Sequence, residues 1–282
     1  MMIRDDLIKS YVTPMSPQPA GLSPAGQLAG SIECILFDIY GTLFISEAGD
    51  ISTARQTAPQ IPKLKQLIAK FDLDVAPRIL IDKLNRAIEA RHHQLMQGGI
   101  DVPEVEIDII WQNILACSDI EQARNFAIEY ELIANPVYPM PNLAKLLKVC
   151  RQQNCHMGLI SNAQFFTALL FEWFLGADAS VLGFNPNLVI LSYQKGYAKP
   201  SPVFFKTAAA AIEAEDITRS STLVVGNDML NDIYPAKQMG FQTALFAGDA
   251  RSLRLRKDDP RCRDLRADLI ITDLEQLIDH IT

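Results

Sequence analysis

The chain has 282 residues, 49% of them hydrophobic, enough for one large core or for a core with an inserted subdomain. Its 26 Lys and Arg against 33 Asp and Glu give a formal net charge of -7, which argues against a general nucleic-acid binder, because phosphate contacts need clustered positive charge. No apolar run approaches the length of a membrane span, and five cysteines without redox or zinc spacing suit a reducing compartment, so the expectation is a soluble cytoplasmic protein.

The N-terminal stretch "MMIRDDLIKS" lacks the apolar centre of a signal peptide. Residues 1–31 read as an arm: a short helix over "RDDLIKSY" and then a Pro-, Gly- and Ser-rich extended segment, expected as a surface tether, with an oligomerisation arm as the alternative. From Ile32 the pattern alternates. "ECILFDIY" (33–40), "HMGLISNA" (156–163), "NLVILSY" (187–193), "STLVVGND" (221–228), "FQTALFAG" (241–248) and "ADLIITD" (267–273) are apolar runs of the kind buried on both faces of a parallel sheet. Helical patterns over 141–154, 163–177, 202–214, 229–240 and 273–281 separate the later ones. Between the first two strands, residues 50–135 are helical almost throughout, with "NPVYPMP" (135–141) as a return linker. The expected fold is α/β: a Rossmann-like parallel sheet flanked by helices, built from 32–49 and 136–282, with an inserted all-helical subdomain. The basic run from Arg251 to Arg263 is interrupted by Asp258 and Asp259 and reads as a solvated surface.

Four polar features fall after successive elements of that core. Asp38 follows the first strand, Ser161-Asn162 the second, Lys199-Pro200 sits in a loop, and Asp228 with Asp232 follows "STLVVG". Taken singly each has a bland explanation as a helix cap, a turn residue or a surface lysine. Their joint placement at the carboxyl ends of parallel strands, where ligands gather, points to a site.

With those residues in view, "FDIYGTLF", "LISNA", "GYAKPSPVFF" and "VVGNDMLNDIYPAKQMG" resemble the four signature motifs of the haloacid dehalogenase superfamily of hydrolases. The resemblance covers roughly residues 32–282, and the helical insertion lies where that superfamily places its specificity cap. It implies that Asp38 is a nucleophile forming a covalent aspartyl intermediate. Lys199 and a bound Mg²⁺ would screen the charge of a phosphoryl group. Asp38, the main-chain carbonyl of Tyr40 and a carboxylate from Asp228 or Asp232 would supply the oxygen ligands Mg²⁺ prefers. The Ser161 hydroxyl and the Asn162 N–H would hold the transferring group, and the N–H groups of the Gly41-Thr42 turn would cradle its other oxygens. Because Asn227 stands where the family often has an aspartate, Asp228 is expected as the direct metal ligand and Asp232 as direct or water-mediated.

Tyr40 divides the readings. In the family's phosphatases an acid at this place protonates the departing alcohol, and a phenol with pKa about 10 is too weak an acid for that role. Relatives with Asp-x-Tyr-Gly-Thr include the 2-haloacid dehalogenases, whose halide leaves unprotonated and whose last motif looks metal-free. Against them, this chain keeps both Asp228 and Asp232 and has Phe205 where they carry a tyrosine. The expected activity is Mg²⁺-dependent hydrolysis of a small phosphorylated substrate, by a monomer or homodimer with no nucleic-acid or membrane partner. The missing acid would come from His92 or His93 with Glu89, or would be unnecessary for a good leaving group. A phosphonatase-like reaction would need a lysine such as Lys63, Lys65, Lys70 or Lys83. A metal-independent 2-haloacid dehalogenase is the alternative, with Arg78, Arg86 and Arg91 as its available arginines. A catalytically weak binding or regulatory module is the alternative from another class.

Overall fold

The computed structural model describes residue 8 and residues 10–48 and 60–281. Its strands are β1 (Ala25–Gly26), β2 (Cys34–Phe37), β3 (Phe44–Ser46), β4 (Val137–Pro139), β5 (His156–Ser161), β6 (Phe184–Leu191), β7 (Thr222–Gly226), β8 (Gln242–Phe246) and β9 (Leu269–Ile271). Seven of them form one sheet in the order β1-β9-β8-β7-β2-β5-β6. All neighbours are parallel except β1, which joins the edge of β9 antiparallel. β2 lies between β5 and β7, with Ile35 opposite Met157 on one side and Leu223 on the other. Its two side-chain faces enter two cores: Ile35 and Phe37 pack with Leu143, Leu146 and Leu274, while Cys34 and Leu36 pack with Phe204, Phe205 and Ala208. A strand covered on both sides has no polar alternation, which is why "CILF" reads as a continuous apolar run.

The helices are α1 (Ile61–Lys70), α2 (Pro77–Gln97), α3 (Ile107–Leu115), α4 (Ile120–Ala134), α5 (Leu143–Gln152), α6 (Leu169–Leu175), α7 (Ser192–Lys195), α8 (Pro202–Ala214) and α9 (Tyr234–Gln238). Local sequence sets several starts. Asp119 accepts from the Glu121 N–H to cap α4, and Ser201 caps α8 just before Pro202, whose missing N–H costs nothing in the first turn. α1 to α4 make a separate lobe with its own core, in which Leu64, Leu67, Leu84, Ile88, Trp111 and Phe126 are buried. The Trp111 ring lies 4.7 Å from Phe126 and 4.8 Å from Tyr130, measured between centroids.

Three features differ from the sequence reading. The linker "NPVYPMP" contains β4, which pairs antiparallel with β3 through Ser46↔Val137 and Phe44↔Pro139 and fastens the far end of the lobe to the core. Asn135 secures the junction by accepting from Ser46 Oγ (2.8 Å) and the Ala48 N–H (3.1 Å). The helix expected over 229–240 is a wide turn, Met229–Ile233, followed by the short α9. The expected arm helix lies mostly outside the described residues, but the arm is bound to the body along much of its length. Ile8 packs on Ile128, Leu132 and Phe166, the Tyr11 hydroxyl donates to Glu129 (2.9 Å), the Ala250 N–H donates to Gln18 O, and β1 extends the sheet. Among the described residues no helix is long and apolar enough to cross a membrane.

Candidate active site

The chain leaves β2 in one direction along the sheet for β5 and β6, then returns to the opposite side of β2 for β7. This reversal opens a crevice at the strand ends, the usual place for a ligand in an open parallel sheet. Asp38 is the first residue past β2. Its N–H donates to Val225 O (2.9 Å), which pins it against the end of β7. The buried carboxylate is held unevenly. Oδ1 accepts from Lys199 Nζ (2.8 Å) and Ser161 Oγ (2.9 Å), whereas Oδ2 has one long contact, from Thr42 Oγ1 at 3.3 Å.

Lys199 is also buried and bridges Asp38 to Asp232 Oδ1, while Asp232 Oδ2 accepts from the Asp228 N–H (2.9 Å). Burial by itself would lower the lysine's pKa, but the charges of Asp232 and Asp38 and their hydrogen bonds raise it instead, so it stays cationic. Burial, helped by the charges of Asp38 and Asp228, pushes the Asp232 carboxyl up to about 7 against the pull of Lys199. Gly226 makes this packing possible: a Cβ there would lie 2.2 Å from Asp232 Cγ.

Asn162 serves the site in a way the sequence did not reveal. Its side-chain oxygen accepts from the Lys199 N–H (2.7 Å), so the end of β5 positions the lysine loop. The Gly41-Thr42 turn differs from its expected use, because the Gly41 N–H donates to Phe44 O and the Thr42 N–H to Ile39 O. Those donors hold the turn together and do not form an anion cradle. Gly41 has φ of +80°, and a Cβ there would come within 2.4 Å of Ser252 Cβ, so only glycine fits. The Tyr40 phenol is buried, pairs with Thr167 Oγ1 at 3.1 Å, and is pushed far above its ordinary pKa by burial and by Glu131. It is a fixed neutral group and no proton donor at ordinary pH.

The last motif is arranged differently from the expected metal site. Asn227 faces the nucleophile: its Oδ1 is 3.3 Å from Thr42 Oγ1, the same hydroxyl that contacts Asp38, and its Nδ2 donates to Ser252 O at 2.6 Å. Asp228 caps the turn that follows, accepting from the N–H groups of Leu230 (2.8 Å) and Asn231 (3.2 Å). Both of its oxygens also meet the Arg256 guanidinium, Nε at 3.1 Å from each and Nη2 at 2.5 Å from Oδ2. The basic run is thus partly internal, as Arg251 pairs likewise with Asp249 and Glu47. Among the described residues, no group of three or more His, Cys, Asp or Glu side chains is placed to hold a metal ion. The carboxylates of the Mg²⁺ set expected from the sequence, Asp38, Asp228 and Asp232 with the Tyr40 carbonyl, are here each engaged by protein groups. Asp228 is answered by Arg256 and a turn, Asp232 by Lys199 and an N–H, and an amide stands where a second acid would face Asp38. We expect Asn227→Asp to gain saturable Mg²⁺ binding in isothermal titration calorimetry, with the wild type giving no binding heat.

The lobe meets the core at the lysine loop and at the residues that follow β5. Leu84, Ile88, Trp111, Phe166, Glu104 and Glu131 line a cavity of about 50 Å³ between lobe and core. Arg78, Arg86, Glu89, Arg91 and His93 lie on the exposed side of α2, because Leu80, Leu84 and Ile88 take the inward stripe. Lys65, Lys70 and Lys83 are exposed as well.

A protein-family model described as a hydrolase, haloacid dehalogenase-like hydrolase, matches residues 32–240. No curated protein matches the chain. Among solved structures the fold is similar to a HAD phosphatase from Thermococcus onnurineus (16% identity, TM-score 0.51, covering 88% of this chain and 97% of that one). It is also similar to a 2-haloacid dehalogenase from Pseudomonas syringae pv. Tomato DC3000 (19%, 0.53, 89% and 98%). A third is the L-2-haloacid dehalogenase PA0810 (15%, 0.55, 88% and 98%). At such identities the likeness is one of fold.

Proposed function

The chain belongs to the haloacid dehalogenase-like hydrolase family, and we propose that it works by metal-independent displacement at Asp38 on a small organic substrate whose leaving group departs as a stable anion. A carbon-bound halide is the group of that kind within the family's repertoire. The observation that carries this reading is the commitment of Asp228 to Arg256 and of Asp232 to Lys199, with Asn227 facing the nucleophile. A dianionic phosphoryl group entering here would have Lys199 alone to offset its charge beside Asp38, a poor arrangement for phosphoryl transfer. A halide needs no proton, so the neutral phenol of Tyr40 is no handicap.

The uneven hold on Asp38 supports a division of labour between its oxygens. Oδ2, the lightly bonded one, supplies the lone pair: a C–O bond forms, the carbon–halogen bond breaks, and halide leaves with its electron pair. Water then adds to Cγ of the resulting ester. The charge that develops falls on Oδ1, where Lys199 Nζ and Ser161 Oγ already donate, so the same hydrogen bonds act as an oxyanion hole. Collapse releases the alcohol, restores the carboxylate and sends one proton to solvent.

A second reading, phosphoryl hydrolysis, is favoured by the retention of Asp232 within reach of the lysine that holds Asp38. One experiment separates the two. 2-Chloroacetamide, 2-chloropropionate and p-nitrophenyl phosphate are offered with Mg²⁺ or with EDTA, and the first turnover is run in water labelled with oxygen-18. Displacement at carbon predicts halide release unaffected by EDTA and the label in the Asp38 peptide. Phosphatase activity lost to EDTA, with the label in phosphate, would overturn it.

A further inference from the structure

The segment between α2 and α3 lies along the loop that carries Lys199. The Ala198 N–H donates to Val102 O (2.9 Å), the Glu104 N–H to Gly196 O (3.2 Å), and Ser201 Oγ to Asp101 Oδ1 (2.8 Å), while Pro103 and Tyr197 form an antiparallel bridge. Lys199 sits inside this clasp. At its end the Glu104 carboxylate, 9% exposed, reaches from the lobe into the core. Oε1 accepts from the Val105 N–H (2.9 Å) and Gln164 Nε2 (3.1 Å), and Oε2 accepts from Ser192 Oγ (2.8 Å).

Both core partners adjoin the site. Ser192 Oγ accepts from the Ala163 N–H (2.9 Å), one residue past Asn162, whose side chain holds the Lys199 N–H. Gln164 gives its Nε2 also to Val105 O (2.9 Å), takes the Ile107 N–H on Oε1 (3.0 Å), and donates its own N–H to Thr167 Oγ1, the partner of Tyr40. A buried carboxylate is costly unless its lone pairs are matched, so a site that matches them from both bodies holds those bodies in one register.

We infer that Glu104 is a positioning residue: through Ser192, Gln164 and the clasp on residues 196–201 it fixes the Ser161-Asn162 segment and the Lys199 loop relative to each other. The inference rests on the proposed partnership of Lys199 with Asp38, and it makes the lobe a part of the catalytic alignment. A misplacement of about 1 Å at a reacting centre can cost on the order of 10² in rate.

The test compares Glu104→Ala with Glu104→Gln. The amide keeps an acceptor for Val105 and Gln164 and can donate to Ser192 Oγ, so Gln is expected to hold kcat within about threefold. Ala is expected to lower kcat on whichever of the three probe substrates the wild type turns over by about 10- to 100-fold, with KM within about threefold. Hydrogen–deuterium exchange, which needs no substrate, is expected to rise over residues 162–167 and 194–201 in the Ala variant, stay at wild-type level in the Gln variant, and leave β2 and β7 protected in both. If none of the probes is turned over, the functional reading fails while the exchange result still decides this one. Should Glu104→Ala not fold, Ser192→Ala removes the core side of the contact and is read in the same way. Unchanged exchange over both segments, or a folded Ala variant with wild-type kcat, overturns the inference.

Discussion

Asp38→Asn is expected to reduce turnover at least ~10⁴-fold while leaving the fold intact. The substitution is nearly isosteric, and the amide oxygen can take the place of Oδ1, still accepting from Lys199 Nζ and Ser161 Oγ. What disappears is the Oδ2 lone pair, because an amide nitrogen delocalises its own into the carbonyl. Thr42 Oγ1, 3.3 Å away, can turn to accept from the new NH₂, so the packing cost is small. Lys199 keeps Asp232 as a countercharge. Steady-state rates with circular dichroism as the folding control check the result, and a folded variant retaining a tenth of the activity would remove the nucleophile from the scheme.

Lys199→Met tests the same cluster through stability. The lysine is the shared partner of two buried carboxylates, and removing one member of such a set typically costs ~3–5 kcal/mol. The loss should depend on pH. Burial already pushes Asp232 up to about 7 with the lysine present, and without that positive charge it moves higher still, further above its unfolded value near 3.9. A carboxyl whose folded pKa is raised binds its proton more tightly in the folded state. Its contribution is therefore favourable below the unfolded pKa and is lost as pH rises through the folded one. Urea unfolding should show a variant closest to wild type near pH 5 and furthest from it above pH 7, and Asp232→Asn added to Lys199→Met should recover part of the deficit. A pH-independent deficit would mean that the lysine acts by packing alone.

Much of this was legible in the sequence. Doubly buried strands leave unbroken apolar runs, so β2, β5, β7 and β8 could be found from composition alone, and the polar residues that end the runs marked the crevice. The lobe was legible because period-3.6 patterns filled the gap after the first strand. Orientation was not legible. Asn227 and Asp228 are adjacent on a chain leaving a strand, where successive side chains point to opposite faces, and only coordinates show that the amide faces Asp38 while the acid faces Arg256. Arg256 lies 28 residues downstream of Asp228 in a run that reads as solvated surface, and nothing local distinguishes it from Arg254 or Arg263. Glu104 escaped notice for a similar reason: "PEVEID" reads as the start of a helix, but α3 begins only at Ile107, and the residues before it are extended along the lysine loop.

The short strand β1 carries a practical consequence. Family matching begins at residue 32, so a variant trimmed to that boundary would lose the rung that covers the outer edge of β9. Three buried or half-buried residues, Leu269 to Ile271, would then offer unpaired amides and carbonyls to any passing strand, including the same edge of another copy. Such a shortened protein should self-associate in a concentration-dependent way. Poor behaviour of that kind would report an uncovered seam and no fault in the hydrolytic machinery.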